Sequence, residues 1–427
     1  MSKARKQKGT RLGQPAQLPQ AAPGAAPEAA RGDLSSILMW MFCAYLLVMP
    51  IAGVILDAGR PPGNKLTMDR LRFAVVNAIT CTGFPAGASV GGYPLSGKWV
   101  VLVLTYFGAV FPMIAGGLAA VRVLRLPHSD RRIVVAALAG SALPIVAGAA
   151  VLLEAGGSIL EALMASTSAF ANSGLYFGDL PRIWHWHAWA VLLPLSVLGG
   201  LGLPVLLDLW DCIRLRGSLT PYSRLILWLT AITFIGGFAL LLLVRYLTAP
   251  LLPEDAVGWW KFLASTAAQA INSRCAGFDF SWVQDWPRGM QWMVIPLMIA
   301  GASPAGTGSG LKTVTFVALW RGARQILRGQ TPSPAVAIAL AWTGIYAALA
   351  CVVFVLLLWS QPQHSPDRLL FETISALSNV GLAYDTIYAV TPALDVLTVA
   401  MFLGRATPMI MWWWLATRER PSDLLVG

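Results

Sequence analysis

The chain has 427 residues, 56% of them hydrophobic and only 12% charged, with a mean hydropathy of +0.64. That balance excludes an ordinary soluble globular protein, and long apolar runs recurring from Ile37 onward predict a polytopic helical membrane protein. The net charge of +11 would suggest nucleic acid in a soluble chain. Here the basic residues sit in short loops between apolar runs, where membrane topology accounts for them and no nucleic-acid partner is expected.

Residues 1–35 are rich in Lys, Arg, Ala, Pro, Gln and Gly and lack an apolar stripe, which predicts a disordered basic tail. Polar residues precede the first apolar run for too long to fit a signal peptide. Lys3, Arg5, Lys6, Lys8 and Arg11 place this tail in the cytoplasm.

Beyond the tail one plan recurs four times: spanning helix, half-helix, glycine loop, spanning helix. The first unit, 36–122, has spans over 37–56 and 99–121 and a half-helix over 67–80. The second, 133–210, has spans over 133–153 and 189–209 and a half-helix over 158–170. The third, 222–320, has spans over 223–246 and 290–320 and a half-helix over 258–272. The fourth, 335–416, has spans over 335–359 and 393–415 and a half-helix over 367–377. Half-helices of about ten to fourteen residues are too short to cross a bilayer and should be re-entrant. Non-helical backbone at that depth must line water or be buried in protein, so the loops belong on a central axis. The expected fold is all-α: eight spans plus four re-entrant pore helices, in four pseudo-symmetric helix–pore loop–helix units around one central pore.

The loops read Thr80-Cys81-Thr82-Gly83-Phe84, Ala171-Asn172-Ser173-Gly174-Leu175, Arg274-Cys275-Ala276-Gly277-Phe278 and Ser378-Asn379-Val380-Gly381-Leu382. Their glycines recur at intervals that imply repetition of a whole structural unit. Glycine lets backbone approach a ligand closely, and four such loops at one depth could aim rings of carbonyl oxygens at a dehydrated cation. The candidate ion-binding positions are Thr82, Gly83, Ser173, Gly174, Ala276, Gly277, Val380 and Gly381. Cys81 and Cys275 either pack behind the loops or line the path, where a thiol is a poor ligand for a hard cation.

Residues 301–310 interrupt the 290–320 run with Gly, Ser, Thr and Pro304, which cannot sustain a helix. A phosphate-binding loop is the superficial competitor near Lys312-Thr313, but the GxxxxGK spacing is absent. Such a break has few hydrogen bonds to lose on moving, which predicts a mobile segment. Arg405 lies inside the last apolar run, where a charge is costly and marks either function, a buried salt bridge or a carbonyl cap. His185 and His187 lie among tryptophans and read as part of an aromatic interface belt. Glu154, Glu161 and Glu372 fit helix starts. No Ser/His/Asp set or carboxylate pair converges, so no enzyme activity and no cofactor are expected.

Basic residues fix the orientation. Arg122, Arg125, Arg131 and Arg132, then Arg214, Arg216 and Arg224, then Arg321, Arg324 and Arg328 join the units on the cytoplasmic side, with both termini there. Asp57, Asp69, Asp179, Glu254, Asp255, Asp279, Asp285, Asp367 and Asp385 fall on the opposite side, as a cation-concentrating vestibule or as solvated loop acids.

From 37 to 415 the chain resembles the Trk/Ktr/HKT superfamily of potassium transporters, as a pore-forming membrane subunit. The resemblance rests on Arg274 to Phe278, on Phe371-Glu372-Thr373-Ile374-Ser375-Ala376-Leu377 leading into the fourth loop, and on Gly199-Gly200-Leu201-Gly202-Leu203-Pro204. It rests also on Gly301 to Thr313 and on Gly404-Arg405. Family members usually carry Thr where this chain has Cys275, and Cys81 is also uncommon. The resemblance implies potassium uptake across the cytoplasmic (inner) membrane, with potassium held by filter carbonyls as substrate rather than cofactor. It implies a gate formed by the loop 301–310, with Gly301, Gly306, Gly308 and Gly310, together with Arg405. It further implies a homodimer docked to a cytosolic nucleotide-binding regulatory subunit of the TrkA/KtrA type. A sodium- or proton-coupled cation symporter of the same fold is the alternative.

Overall fold

The computed structural model describes residues 28–58, 67–85, 93–123, 129–215, 217–248, 253–275, 277–278, 280–384 and 391–417. Among them are fourteen α-helices and no β-sheet. Six are long and apolar enough to cross a membrane: α1 (Glu28–Ala58), α3 (Leu95–Val123), α4 (Asp130–Leu152), α8 (Pro221–Thr248), α12 (Pro334–Ser360) and α14 (Thr391–Thr417). Little of α1, α8 and α12 is buried despite their apolarity, whereas α3 is largely buried, so α3 lies inside the bundle.

The first helix starts at Glu28, inside the stretch expected to be a disordered tail to residue 35. The run Glu28-Ala29-Ala30-Arg31 consists of strong helix formers, so helix propagates outward from the apolar segment. The rest of that tail lies outside the described residues.

The expected span over 189–209 is broken. A π-helical turn, 188–192, runs into α6 (Leu193–Leu201), and the axis then bends by 104° into α7 (Leu203–Leu215). Gly202 takes φ +87 at the break, and Pro204 has no amide hydrogen to continue the ladder. The bent pair counts as a seventh span if taken as one. The remaining expected span, 290–320, is α10 (Arg288–Ile299) and α11 (Thr313–Leu327), divided by thirteen residues without helix.

Four helices follow these spans where half-helices were expected: α2 (Met68–Ile79), α5 (Ile159–Ala171), α9 (Ala256–Cys275) and α13 (Pro366–Leu377). Two of their starts, those of α5 and α9, are written in capping chemistry. Ser158 and Glu161 form a reciprocal capping box on α5. Asp255 accepts from the Gly258 amide at 2.8 Å, which starts α9 earlier than expected and helps lengthen it to 20 residues. Asp255 is thereby engaged as a cap. Each of the four packs between neighbouring helices: α2 between α1, α3 and α14; α5 between α3 and α4; α9 between α8 and α10; α13 between α12 and α14. That packing puts the C-terminal ends of all four in the protein interior, with Ile79, Phe170, Ser273 and Leu377 buried.

Candidate functional site

The same main-chain bond closes all four short helices. Thr82 donates to Asn77 O at 3.0 Å, Ser173 to Ser168 O at 2.9 Å, Gly277 to Asn272 O at 3.1 Å and Val380 to Ser375 O at 2.9 Å. In three of the loops the chain leaves the helix through a left-handed residue, Cys81, Asn172 or Asn379, and two residues later through a glycine of positive φ, Gly83, Gly174 or Gly381. Gly277 is also left-handed. In those three loops sequence repetition is therefore repetition of backbone conformation. Ala276 lies outside the described residues.

Polar side chains one turn back hold three of the four loops open. Asn77 Oδ1 accepts from the Gly83 and Phe84 amides at 2.8 and 3.0 Å, and its Nδ2 donates to Phe84 O at 2.9 Å. Asn272 grips Phe278 N and O in the same way, and Ser375 Oγ donates to Leu382 O at 2.7 Å. These clamps satisfy buried backbone groups that would otherwise be costly, and they leave the intervening carbonyls free of helix.

The loops touch in one rotational order. A side chain on Gly83 would overlap the carbonyl of Ser173, one on Gly277 that of Val380, and one on Gly381 that of Thr82. First leans on second, third on fourth, fourth on first. Only glycine permits backbone to approach backbone so closely. The candidate residues Thr82, Gly83, Ser173, Gly174, Gly277, Val380 and Gly381 are all buried. Asn379 Nδ2 ties the fourth loop to Thr82 Oγ1 at 2.8 Å. Cys81 points outward, its Sγ 3.4 Å from Thr105 O on α3, and so packs behind its loop. The side chain of Cys275 lies outside the described residues.

Beneath these helix ends lies the non-helical stretch 300–312, all of it buried except Ala300. Its ends are pinched by Gly301 N to Leu311 O at 2.9 Å and Leu311 N to Ile299 O at 3.0 Å. Ser303 N donates to Gly200 O, Thr307 N to Gly199 O and Leu203 N to Ala305 O, all within 3.2 Å. Gly202 must be glycine there, because a Cβ would overlap Pro304 O. Thr307 Oγ1 also donates to Phe170 O at 3.0 Å, at the end of α5. The expectation of few bonds is thus corrected: the break in α6–α7 supplies polar groups that the loop uses, and the loop is moored on several sides.

Three buried cations converge on its carbonyls. Arg405 Nη1 donates to Thr307 O and, at 3.1 Å, to Ser309 Oγ, while Nη2 reaches Gly108 O on α3 at 2.7 Å. Arg274 donates to Ala300 O at 2.9 Å and Gly301 O at 2.8 Å. Lys312 Nζ donates to Gly308 O at 2.7 Å. Of the readings left open for Arg405, the carbonyl cap describes its contacts; among the described residues it has no carboxylate partner. The expected gate residues Gly301, Gly306, Gly308, Gly310 and Arg405 therefore form one packed assembly with the loop.

Sequence reasoning overlooked Asn77, Asn272, Arg274 and Lys312 as structural participants. A signal existed for the backing helices: Gly108, Gly199 and Gly404 each follow a loop glycine by about 25 residues. A Cβ on any of them would overlap a carbonyl at the end of the preceding short helix, Ile79, Phe170 or Leu377. His187 is buried and stacked on the exposed Trp186, 3.9 Å between ring centroids, so of the two histidines only the exposed His185 is available, with Trp186, to an interface belt.

No family model matches the chain. It is 25% identical to the Ktr system potassium uptake protein B of Vibrio alginolyticus, over 90% of this chain and 89% of that one. It is 26% identical to the potassium/sodium uptake protein NtpJ of Enterococcus hirae over 56% of each. The crystal structure of the potassium transporter TrkH from Vibrio parahaemolyticus shares its fold, with a TM-score of 0.64, 19% identity, and coverage of 87% of this chain and 84% of that one.

Proposed function

We propose that this chain, a Trk/Ktr-type potassium transporter membrane subunit by sequence and fold, carries potassium across the cytoplasmic membrane through the four glycine loops. The observation that carries the reading is the ordered contact of Gly83, Gly277 and Gly381 with carbonyls of neighbouring loops, which draws the backbone of adjacent loops together. Carbonyls of Thr82, Gly83, Ser173, Gly174, Ala276, Gly277, Val380 and Gly381 replace the hydration shell of a potassium ion. The C-terminal ends of α2, α5, α9 and α13 direct partial negative charge toward the same place. Potassium is the substrate, and the chain needs no cofactor of its own.

The segment 301–310, held by Arg405, closes the path below the filter. A guanidinium in a low-dielectric route repels a bare cation and raises the barrier further. Opening requires exchange of the bonds that moor the loop, so an external source of free energy must bias it. A cytosolic nucleotide-binding partner of the TrkA/KtrA type, bound to a homodimer of this chain on its basic cytoplasmic face, supplies that bias.

Similarity to a protein named for potassium and sodium uptake favours a second reading, in which sodium moves with or instead of potassium. Rubidium uptake into liposomes holding the purified protein, under imposed potassium, sodium or proton gradients, tests both. Uptake driven by the rubidium gradient alone supports a potassium pore. A strict requirement for a sodium or proton gradient supports the symporter, and no flux under any gradient from either the parent or the gate variant Arg405→Ala overturns both.

A further inference from the structure

Pro112 lies inside α3 and has no amide hydrogen, so it cannot bond the carbonyl four residues earlier, that of Gly108. Arg405 takes that carbonyl instead, at 2.7 Å from Nη2, while its other nitrogen holds Thr307 O. The second unit repeats the device. Pro204 follows Gly200 by the same four residues, and Gly200 O accepts from the Ser303 amide at 3.1 Å. The helix break at Gly202 is what frees Gly200 O, whereas Pro112 alone frees Gly108 O inside a continuous helix; in both units the carbonyl four residues before a proline receives a part of the gate, once the arginine and once the loop itself.

The place is not arbitrary. Gly108 packs against Ile79 O at the end of α2, and Cys81 beside it reaches Thr105 O on the same helix. One turn of α3 therefore backs the first glycine loop and anchors the arginine that grips the segment below. Pro112 also borders a cavity of about 30 Å³ together with Gly306, Lys312 and Pro408, so its ring lies beside the loop.

We propose that Pro112 is a positioning residue for the gate: by withholding an amide hydrogen it reserves the Gly108 carbonyl for Arg405. The inference rests on the reading of Arg405 and 301–310 as the gate. An alanine at 112 restores the helical donor, which then shares the Gly108 carbonyl and weakens the arginine's grip.

The test compares Pro112→Ala, Arg405→Ala and the double variant. Rubidium flux per folded molecule in liposomes without any partner and thermal midpoints are both measured. Pro112→Ala should raise flux about fivefold to tenfold, as expected for weakening one charge-assisted bond. It should add nothing in the Arg405→Ala background. Equal factors in both backgrounds would mean that Pro112 merely bends α3, and the proposal fails. It also fails if Pro112→Ala is silent while Arg405→Ala opens the protein. If Arg405→Ala leaves flux at the parent level, the gate reading falls, and the midpoints then decide the contact alone: coupled shifts support the reserved carbonyl, additive shifts overturn it. Arg405→Lys, which keeps charge but lacks the fork, replaces Arg405→Ala if that variant does not fold.

Discussion

Gly83→Ser is the sharpest perturbation of the proposed filter. Gly83 has φ +87, a conformation that costs a non-glycine residue about 1–2 kcal/mol. The added Cβ would overlap Ser173 O, and an ordinary contact requires the two loops to separate by about 2 Å. A carbonyl displaced that far cannot coordinate an ion held by the other loops. If the displacement removes about 1.4 kcal/mol of the difference between potassium and sodium binding, the permeability ratio falls about tenfold. The assay is competitive uptake of rubidium and sodium into liposomes, normalised to folded protein. Gly140→Ser in α4 is the control, since nothing lies within 4 Å of a Cβ there. Gly277→Ser and Gly381→Ser, which meet Val380 O and Thr82 O, should behave like Gly83→Ser. An unchanged ratio in folded Gly83→Ser, or an equal fall in Gly140→Ser, would refute the filter assignment.

Other consequences follow from the mooring of the loop and from the charge pattern. Arg274→Gln removes the guanidinium from Ala300 O and Gly301 O, and is expected to cost about 2–4 kcal/mol of stability and raise partner-free flux; an unchanged thermal midpoint refutes the contact. Gly202→Ala forces a Cβ onto Pro304 O at positive φ and should destabilise by about 2 kcal/mol or more, whereas Gly344→Ala, in open space, should not; equal midpoints count against the bent α6–α7 cradle. Cysteines at Arg214 and Arg324, both exposed, should resist a membrane-impermeant thiol reagent applied to intact cells, and rapid labelling overturns the proposed orientation.

The short helices were legible because their determinants are local. A cap such as Ser158, an apolar run of three turns and a glycine-bearing exit all fall within about fifteen residues, and α2, α5 and α13 begin and end within a residue or so of expectation. The start of α9 was misjudged because the capping role of Asp255 was overlooked, and Arg274 was read as loop although it belongs to the last helical turn. The α6–α7 bend was visible as a cluster of helix breakers from Gly199 to Pro204, but high hydropathy on both sides argued for one straight span. What periodicity could not reveal is who receives a freed carbonyl. Gly108 and Arg405 lie 297 residues apart, so no window along the chain contains both. A small residue followed four later by proline nevertheless recurs at Gly108–Pro112, Gly200–Pro204, Ala300–Pro304 and Gly404–Pro408, once in each unit. In three of these the carbonyl accepts from Arg405, Ser303 or Arg274, each a part of the gate or its support. At the same place in three of the four units, then, an open carbonyl is filled by the segment 301–310 itself or by an arginine that holds it.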